Sequence, residues 1–224
     1  MLMEEKLKYC LRLILKTKDL YEYDITVSES NGIRIAGVDE AGRGPLAGPV
    51  AAAAVILDLG SPIDGINDSK KLNAKRRDEL YEKIMMSGCV YGVGIVSPQK
   101  IDEINILQAT FLAMRIAVEK LAGLYDMMLV DGNQLIAGID KKLQRTVVGG
   151  DGVSANIAAA SIIAKVTRDR IMDELHEQYP MYDFNGNKGY GTKKHIAAIT
   201  EHGLSPVHRK SFCGKCAVQT NLFS

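Results

Sequence analysis

Gly37-Val38-Asp39-Glu40-Ala41-Gly42-Arg43-Gly44-Pro45-Leu46-Ala47-Gly48-Pro49-Val50 decides how this chain folds. An apolar run from Ile33 to Val38 enters two adjacent carboxylates and opens at once into a glycine-rich turn, and a second apolar run continues to Leu57. Two such runs around a short Gly- and Pro-rich loop predict paired strands over 33–39 and 49–57. Carboxylates at a strand end suit a hard cation such as Mg²⁺ or Mn²⁺. The glycines let backbone N–H groups approach a phosphate, and Arg43 adds a planar, permanently charged donor. A surface turn with a solvated acid pair is the plain alternative, and the apolar runs on both sides argue against it. Neighbours on a straight strand face opposite ways. Asp39 and Glu40 therefore both reach one metal only if the chain turns after Asp39; otherwise Glu40 contributes partly through its backbone carbonyl.

Two more acids close apolar runs. Asp131 ends the run from Met127, and Asp151 follows Gln144–Val148 and two glycines. Strand ends at one sheet edge are where layered α/β folds place ligands. Four convergent carboxylates repel one another without a cation, and two divalent ions about 4 Å apart would clamp an in-line displacement at phosphorus. Asp169 competes with Asp151, but it falls mid-helix between Arg168 and Arg170, so Asp151 is preferred.

Outside these segments the pattern alternates. Residues 4–20 are expected to be helical, with Leu7, Leu11, Ile14 and Leu15 on one face, and to pack on the main body; a protein contact is the alternative. Asn73 caps a helix to Met86 with Leu80 and Ile84 inward. Strand Cys89–Val96 follows, then Pro98 opens a short helix. Residues 106–122 carry apolar side chains at helical spacing, from Ile106 to Leu121. Ser154 caps a long helix to Gln178, stopped before Pro180, whose small residues Ala158–Ser161 allow close approach to the sheet. On it Lys165 and Asp169 form an i,i+4 pair, unless Lys165 turns toward a phosphate. A Gly- and Asn-rich loop over 185–191 leads to a final helical region. Strands and helices alternating after an antiparallel start predict a layered α/β fold.

A chain of 224 residues suits one domain with a small appendage, and 46% hydrophobic with 25% charged residues is ordinary for a globular protein. No apolar run is long enough for a bilayer, the N-terminus lacks signal-peptide features, and cysteines 10, 89, 213 and 216 form no secreted-type framework. The expected compartment is the cytoplasm. Net charge is +1, but residues 188–224 hold six Lys or Arg against Glu201 alone, leaving 22 basic against 26 acidic residues elsewhere. A basic C-terminal face beside an acidic body suits a phosphate backbone, although a merely soluble tail has the same composition. Cys213 and Cys216 make half a zinc motif that His202 and His208 complete poorly, so reduced thiols are expected. His195 and His208 are expected beside phosphate or in structural roles.

The opening stretch resembles the signature of bacterial ribonuclease HII, the type 2 ribonucleases H. Asp68-Ser69-Lys70-Lys71-Leu72, Ile104–Thr110, Val130-Asp131-Gly132, Ala158–Lys165, Lys188–Thr192 and His208–Phe212 follow in that family's order. Together they span about residues 31–212. The resemblance implies a ribonuclease H-like fold, a mixed five-stranded sheet flanked by helices with a small C-terminal helical segment. It divides the chain into an N-terminal extension (1–30), a catalytic domain (31–190) and a basic C-terminal segment (191–224). It implies a monomeric endoribonuclease that uses Mg²⁺ or Mn²⁺, two ions with substrate bound. Its substrates would be RNA–DNA hybrids and duplex DNA carrying single ribonucleotides, cut on the 5′ side to leave 3′-hydroxyl and 5′-phosphate ends. The family's acids map onto Asp39, Glu40, Asp131 and Asp151. The family commonly has Lys-Gly before the last of these, where this chain has Gly149-Gly150. Only the 2′-OH marks a ribonucleotide in DNA. The resemblance assigns its recognition to backbone groups of Gly42, Arg43 and Gly44, and to Tyr190 packing on the next sugar; without the family, Tyr190 would be a loop residue packed between glycines. Within the matched motifs Lys70, Ser161 and Lys165 stand as further substrate contacts. Three alternatives remain: a type 3 enzyme, which prefers RNA runs and carries Gly-Lys-Gly at the turn, a catalytically silent hybrid-binding module, and a DNA-only nuclease of similar fold.

Overall fold

The Gly37–Val50 stretch carries the central strand of a five-stranded sheet and leads into its neighbour. The computed structural model describes residue 17, residues 19–66 and residues 72–214. Strand β1 (Ile35–Ala41) pairs antiparallel with β2 (Val50–Ile56) and parallel with β4 (Met127–Asp131). Strand β3 (Val90–Val96) joins β2 antiparallel, and β5 (Gln144–Val147) joins β4 parallel. The order is β3-β2-β1-β4-β5, the mixed sheet that was expected.

Both faces of β1 are buried, so its alternation sorts the core into two clusters. Ala36 and Val38 pack with Ala52, Ala54 and Val130 against helix α4 (Ile106–Glu119). Ala41 packs with Ala53 and Val55 against helix α5 (Ala155–Gln178). The start of α5 lies so near β1 that a Cβ on Gly37 would stand 2.1 Å from the carbonyl carbon of Asn156. Only glycine fits there, and the small residues at 158–161 extend the same close approach.

The predicted caps are present. The Ser154 side chain accepts from the amide of Ile157 at the start of α5, and that of Asn73 accepts from Arg76 at the start of α2 (Ala74–Met86). Pro98 opens α3 (Pro98–Ile104), and Asn105, at φ 66°, breaks the chain before capping α4. Helix α4 ends at Glu119, three residues short of expectation, in a turn where the Leu121 amide donates to the Val118 carbonyl.

Two expectations change. Residues 19–31 are helical (α1), so this helix runs past residue 20; residues 1–16 lie outside the described residues. The helix continues because Leu20, Tyr21 and Val27 keep its inner face apolar, while Asp24, buried between them, interrupts the hydrophobic pattern in the sequence. Asp24 Oδ2 accepts from the amide and Nδ2 of Asn156 at 2.9 and 2.8 Å. Asn156 Oδ1 in turn accepts from Leu57. The loop expected over 185–191 contains a short helix, α6 (Phe184–Asn187), before α7 (Lys193–His202). Tyr182 and Phe184 stack here, at 5.4 Å between centroids, and build a third cluster with Ala47, Met172 and Ile199.

The C-terminal segment is stitched to the glycine-rich loop, while Lys193, Lys194 and Lys210 remain exposed. Gly48 donates to Val207, Arg209 donates to Leu46, and Ala47 bridges His208. Arg209, His195 and His208 are all buried. The two histidines face each other, Nε2 to Nε2, at 3.0 Å, in the structural role that was one of the two expected. Lys194 pairs with Asp183, and Cys213 is buried beside the Leu46 carbonyl; Cys216 lies outside the described residues.

Candidate active site

The strand alternation places Asp39 and Asp131 on the α5 face, one residue beyond the paired Val38 and Val130. Strand β1 does not turn after Asp39; it runs to Ala41, with Glu40 paired to Ala52. Glu40 therefore follows Ala36 and Val38 toward α4. It borders two cavities, one shared with Ser161 and Tyr190, the other with Leu107, Thr110 and Phe111. The condition for both acids to face one way is not met, which leaves the strand end itself, backbone carbonyl included, as the shared element.

Asp39 is 2% exposed. Its Oδ1 accepts from the Glu40 amide at 2.7 Å, while Oδ2 is buried without a hydrogen bond of ordinary geometry. Burial, then the charges of Glu40 and Asp131, push its carboxyl well above the usual range; Ser161 and the Glu40 amide oppose them. Asp131 Oδ1 accepts from the Gly150 amide at 2.7 Å, which ties β4 to the turn that carries Asp151. Asp151 is buried in that turn (Gly150–Gly152) and is not one of the residues that line the cavity beside Asp131. Among the described residues no three acid, histidine or cysteine side chains form a ready metal cluster. The donor set nonetheless fits a hard divalent cation. All of its donors are oxygen, one buried carboxylate oxygen is unsatisfied, and two neighbouring carboxylates repel each other until a positive charge lies between them.

The cavity over Asp39 measures about 220 Å³. It is lined by Glu40, Gly42, Arg43, Gly44 and Asp131 together with Ser161, Lys165 and Tyr190. The expected site residues thus gather at one place, apart from Asp151 and from Lys70, which lies outside the described residues. Lys165 Nζ is held by Asp169 at 2.5 and 2.7 Å; burial lowers its pKa while Asp169 pulls the other way. Asp169 makes the expected i,i+4 pair with Lys165, pairs also with Arg77 rather than with Arg168 or Arg170, and borders a different cavity. Arg43 Nη1 lies 3.3 Å from Glu40 Oε1 and remains half exposed.

Tyr190 is 47% exposed. Its loop docks on the glycine-rich loop through Leu46 and Ala47, whose amides both donate to the Gly189 carbonyl. A Cβ on Gly44 would stand 3.7 Å from Tyr190 Cε1, so the ring rises directly beside the Gly42–Gly44 turn.

Two buried arginines hold the backbone of the 42–49 segment, Arg209 alone at the Gly42–Gly44 turn, and neither was expected there from the sequence. Arg168, read as a neighbour of Asp169, donates to the carbonyls of Pro49, Ala47 and Lys188 at 3.0, 3.2 and 3.0 Å. Arg209, counted in the basic tail, donates to those of Gly42, Arg43, Gly48 and Pro49 at 2.6–3.1 Å. Burial lowers both pKa values, that of Arg209 to about 9. Gly42, at φ 96°, has no room for a Cβ, which would meet Arg168 Nε at 2.1 Å. One signal for Arg168 was present: it lies four residues from both Ala164 and Met172, on the buried stripe of α5.

Comparison with known proteins fits this geometry. Residues 36–215 match the family model described as Ribonuclease HII. Ribonuclease HII of Endomicrobium trichonymphae is 52% identical over 194 residues, which cover 87% of this chain and 92% of that protein. The ribonuclease H2 structure from Pyrococcus horikoshii OT3 superposes with a TM-score of 0.64 at 26% identity, over 84% of this chain and 99% of the other. Bst-RNase HIII in complex with Mn²⁺ gives a TM-score of 0.69 over 85% of this chain and 71% of that one; at 18% identity it speaks for the fold alone.

Proposed function

The chain belongs to the ribonuclease HII family, a metal-dependent ribonuclease H endonuclease, and from that premise we propose that it hydrolyses the RNA strand of RNA–DNA hybrids and cuts 5′ of single ribonucleotides in duplex DNA. The observation that carries this reading is the cavity itself, which brings Asp39, Glu40 and Asp131 together with a glycine turn and the exposed ring of Tyr190 beside that turn.

The proposed division of labour follows from position. Asp39 and Asp131, with the strand end at Glu40 and with Asp151 in the adjoining turn, would hold two Mg²⁺ or Mn²⁺ ions. When bound, these ions would supply an activated water and charge neutralisation at the scissile phosphate. Burial keeps Asp39 poorly hydrated, so it gains more from a cation than a surface carboxylate does. The Gly42–Gly44 turn offers backbone donors at the cavity rim, where a ribose hydroxyl differs from a deoxyribose hydrogen. Tyr190 stands where its ring can lie against the adjoining sugar. Lys165 is close enough to steer a phosphate, although Asp169 holds it back from strong binding. The glycine turn carries Arg43, in keeping with type 2 rather than type 3 enzymes.

The test is a 5′-labelled duplex with one internal ribonucleotide, beside an all-DNA duplex and a long hybrid, each incubated with Mg²⁺, Mn²⁺ or EDTA. Metal-dependent cutting immediately 5′ of the ribonucleotide is expected, with the DNA duplex intact. Cutting only within RNA runs would point to type 3 specificity, and binding without any cutting to a silent hybrid-binding module.

A further inference from the structure

We infer that Arg209 is a specificity-determining positioning residue: it never touches substrate, but it aims the backbone amides of Arg43 and Gly44 into the cavity. The inference rests on the function proposed above and names what builds its ribose-reading element.

Arg209 is completely buried, and every hydrogen bond of its guanidinium goes to a backbone carbonyl of the 42–49 segment. A peptide unit is planar and trans, so its C=O and N–H point in opposite directions. The Gly42 carbonyl is drawn to Arg209 Nη2 at 2.6 Å, which turns the Arg43 N–H away from the protein interior. The Arg43 carbonyl is drawn to Nη1 at 3.0 Å, which does the same to the Gly44 N–H. Among the described residues neither amide donates to a protein acceptor. Two consecutive unsatisfied donors on a cavity wall suit an electron-rich oxygen, such as a 2′-hydroxyl or the phosphate beside it.

The fork matters as much as the charge. One guanidinium reaches four carbonyls because its donors are fixed in a plane; an ammonium on a flexible stem cannot span them. Arg168 is the internal comparison. It is equally buried, and it holds Ala47, Pro49 and Lys188 but neither carbonyl of the reading turn.

The experiment compares wild type, Arg209→Lys and Arg168→Lys. Single-turnover cleavage is measured on a duplex with one ribonucleotide and on a long hybrid, with folded fraction and melting temperature determined for each protein. Arg209→Lys is expected to lose at least tenfold on the single ribonucleotide and under threefold on the hybrid, where many registers compensate. Arg168→Lys should lower stability comparably while leaving the ratio of the two rates near wild type. An unchanged ratio in Arg209→Lys, or the same shift in both variants, overturns the inference. If Arg209→Lys does not fold, amide NMR of the wild type decides the matter. In Ca²⁺, the Arg43 and Gly44 amides should move on adding the ribonucleotide duplex but not the matching all-DNA duplex, and equal movement with both overturns the inference. Failure of the wild type to cut the single ribonucleotide would be a separate result, against the proposed function itself.

Discussion

Asp24 offers the sharpest test of the physical reasoning, because replacing a buried, hydrogen-bonded acid is expected to stabilise this protein. Asp24 is fully buried on α1, outside residues 36–215, and accepts two hydrogen bonds from Asn156 through Oδ2. Burial raises its pKa from 3.8 to about 6, against the opposing pull of those hydrogen bonds. Between these two values the folded protein takes up a proton that the unfolded chain does not. Asp24's contribution to stability is therefore most favourable at low pH, declines as pH rises through the window, and is fully unfavourable above about 6. A shift of roughly two units corresponds to about 3 kcal/mol at neutral pH. Asparagine cannot ionise, and its Oδ1 can keep both Asn156 contacts. It gives up a negative charge at the N-terminus of α5, which costs about 0.5–1 kcal/mol, and presents an NH₂ group near the Ala155 amide. Asp24→Asn should thus gain about 1–2 kcal/mol at pH 8, shrinking toward zero by pH 4. Urea denaturation of both proteins at pH 8, 6 and 4.5 measures the gap directly. A variant less stable than wild type at pH 8, by an amount that does not change with pH, would mean that Asp24 is comfortably ionised and would refute the argument.

Three further outcomes are expected. Asp39→Asn or Asp131→Asn should abolish cleavage while leaving hybrid affinity within a few fold, since each removes a cation ligand rather than a substrate contact; wild-type turnover in a folded variant would remove the metal assignment. Tyr190→Ala should lose more on a single ribonucleotide than on a long hybrid, with Tyr190→Phe intermediate and the melting temperature almost unmoved, because the ring is 47% exposed; equal losses on both substrates would make Tyr190 a packing residue. Burial and His195 lower the pKa of His208 from 6.5 to about 4, so the stability carried by the neutral His195–His208 pair should be complete above pH 6.5 and lost as pH falls toward 4. Measured in the Asp24→Asn background, His208→Asn should flatten that slope, and an unchanged slope would place the titration elsewhere.

What the sequence revealed and what it hid divide along physical lines. Asn73, Ser154 and the alternation of β1 and β2 act through their neighbours in the chain, so the helix starts and the sheet were legible. Glu40 was read as needing a turn; the structure instead continues β1 by hydrogen bonding to β2, a partner that local residues do not announce. Asp24 hid α1's continuation because a polar residue on a buried face breaks the hydrophobic pattern, and its partner Asn156 lies 132 residues away. The arginines illustrate the same limit. A cation in a basic tail looks solvated, yet Arg209 finds its acceptors about 160 residues earlier, in carbonyls that no side-chain pattern encodes. The acids were legible as a set because each ends an apolar run, but that rule gives proximity and not coordination geometry: Asp39 and Asp131 line the cavity, whereas Asp151 is buried in the adjoining turn.

Helix α5 imposes a constraint on how such a protein can vary. Along one rod it carries Ser161 and Lys165 at the cavity, then Arg168 under the loop and Met172 in the third cluster. These four functions are locked to one angular phase. Inserting or deleting a single residue among them would rotate everything beyond by about 100° and slide it by about 1.5 Å. An insertion between Ser161 and Lys165 would take Lys165 from the cavity in the same step that Arg168 released the loop. Length changes are therefore tolerable only past Gln178 or in loops that bear no part of the site, whereas point substitutions on the outer face of the helix are comparatively free. A designer who wished to retune this cavity would gain more by altering side chains at fixed register than by grafting segments, because the helix serves as the molecule's ruler.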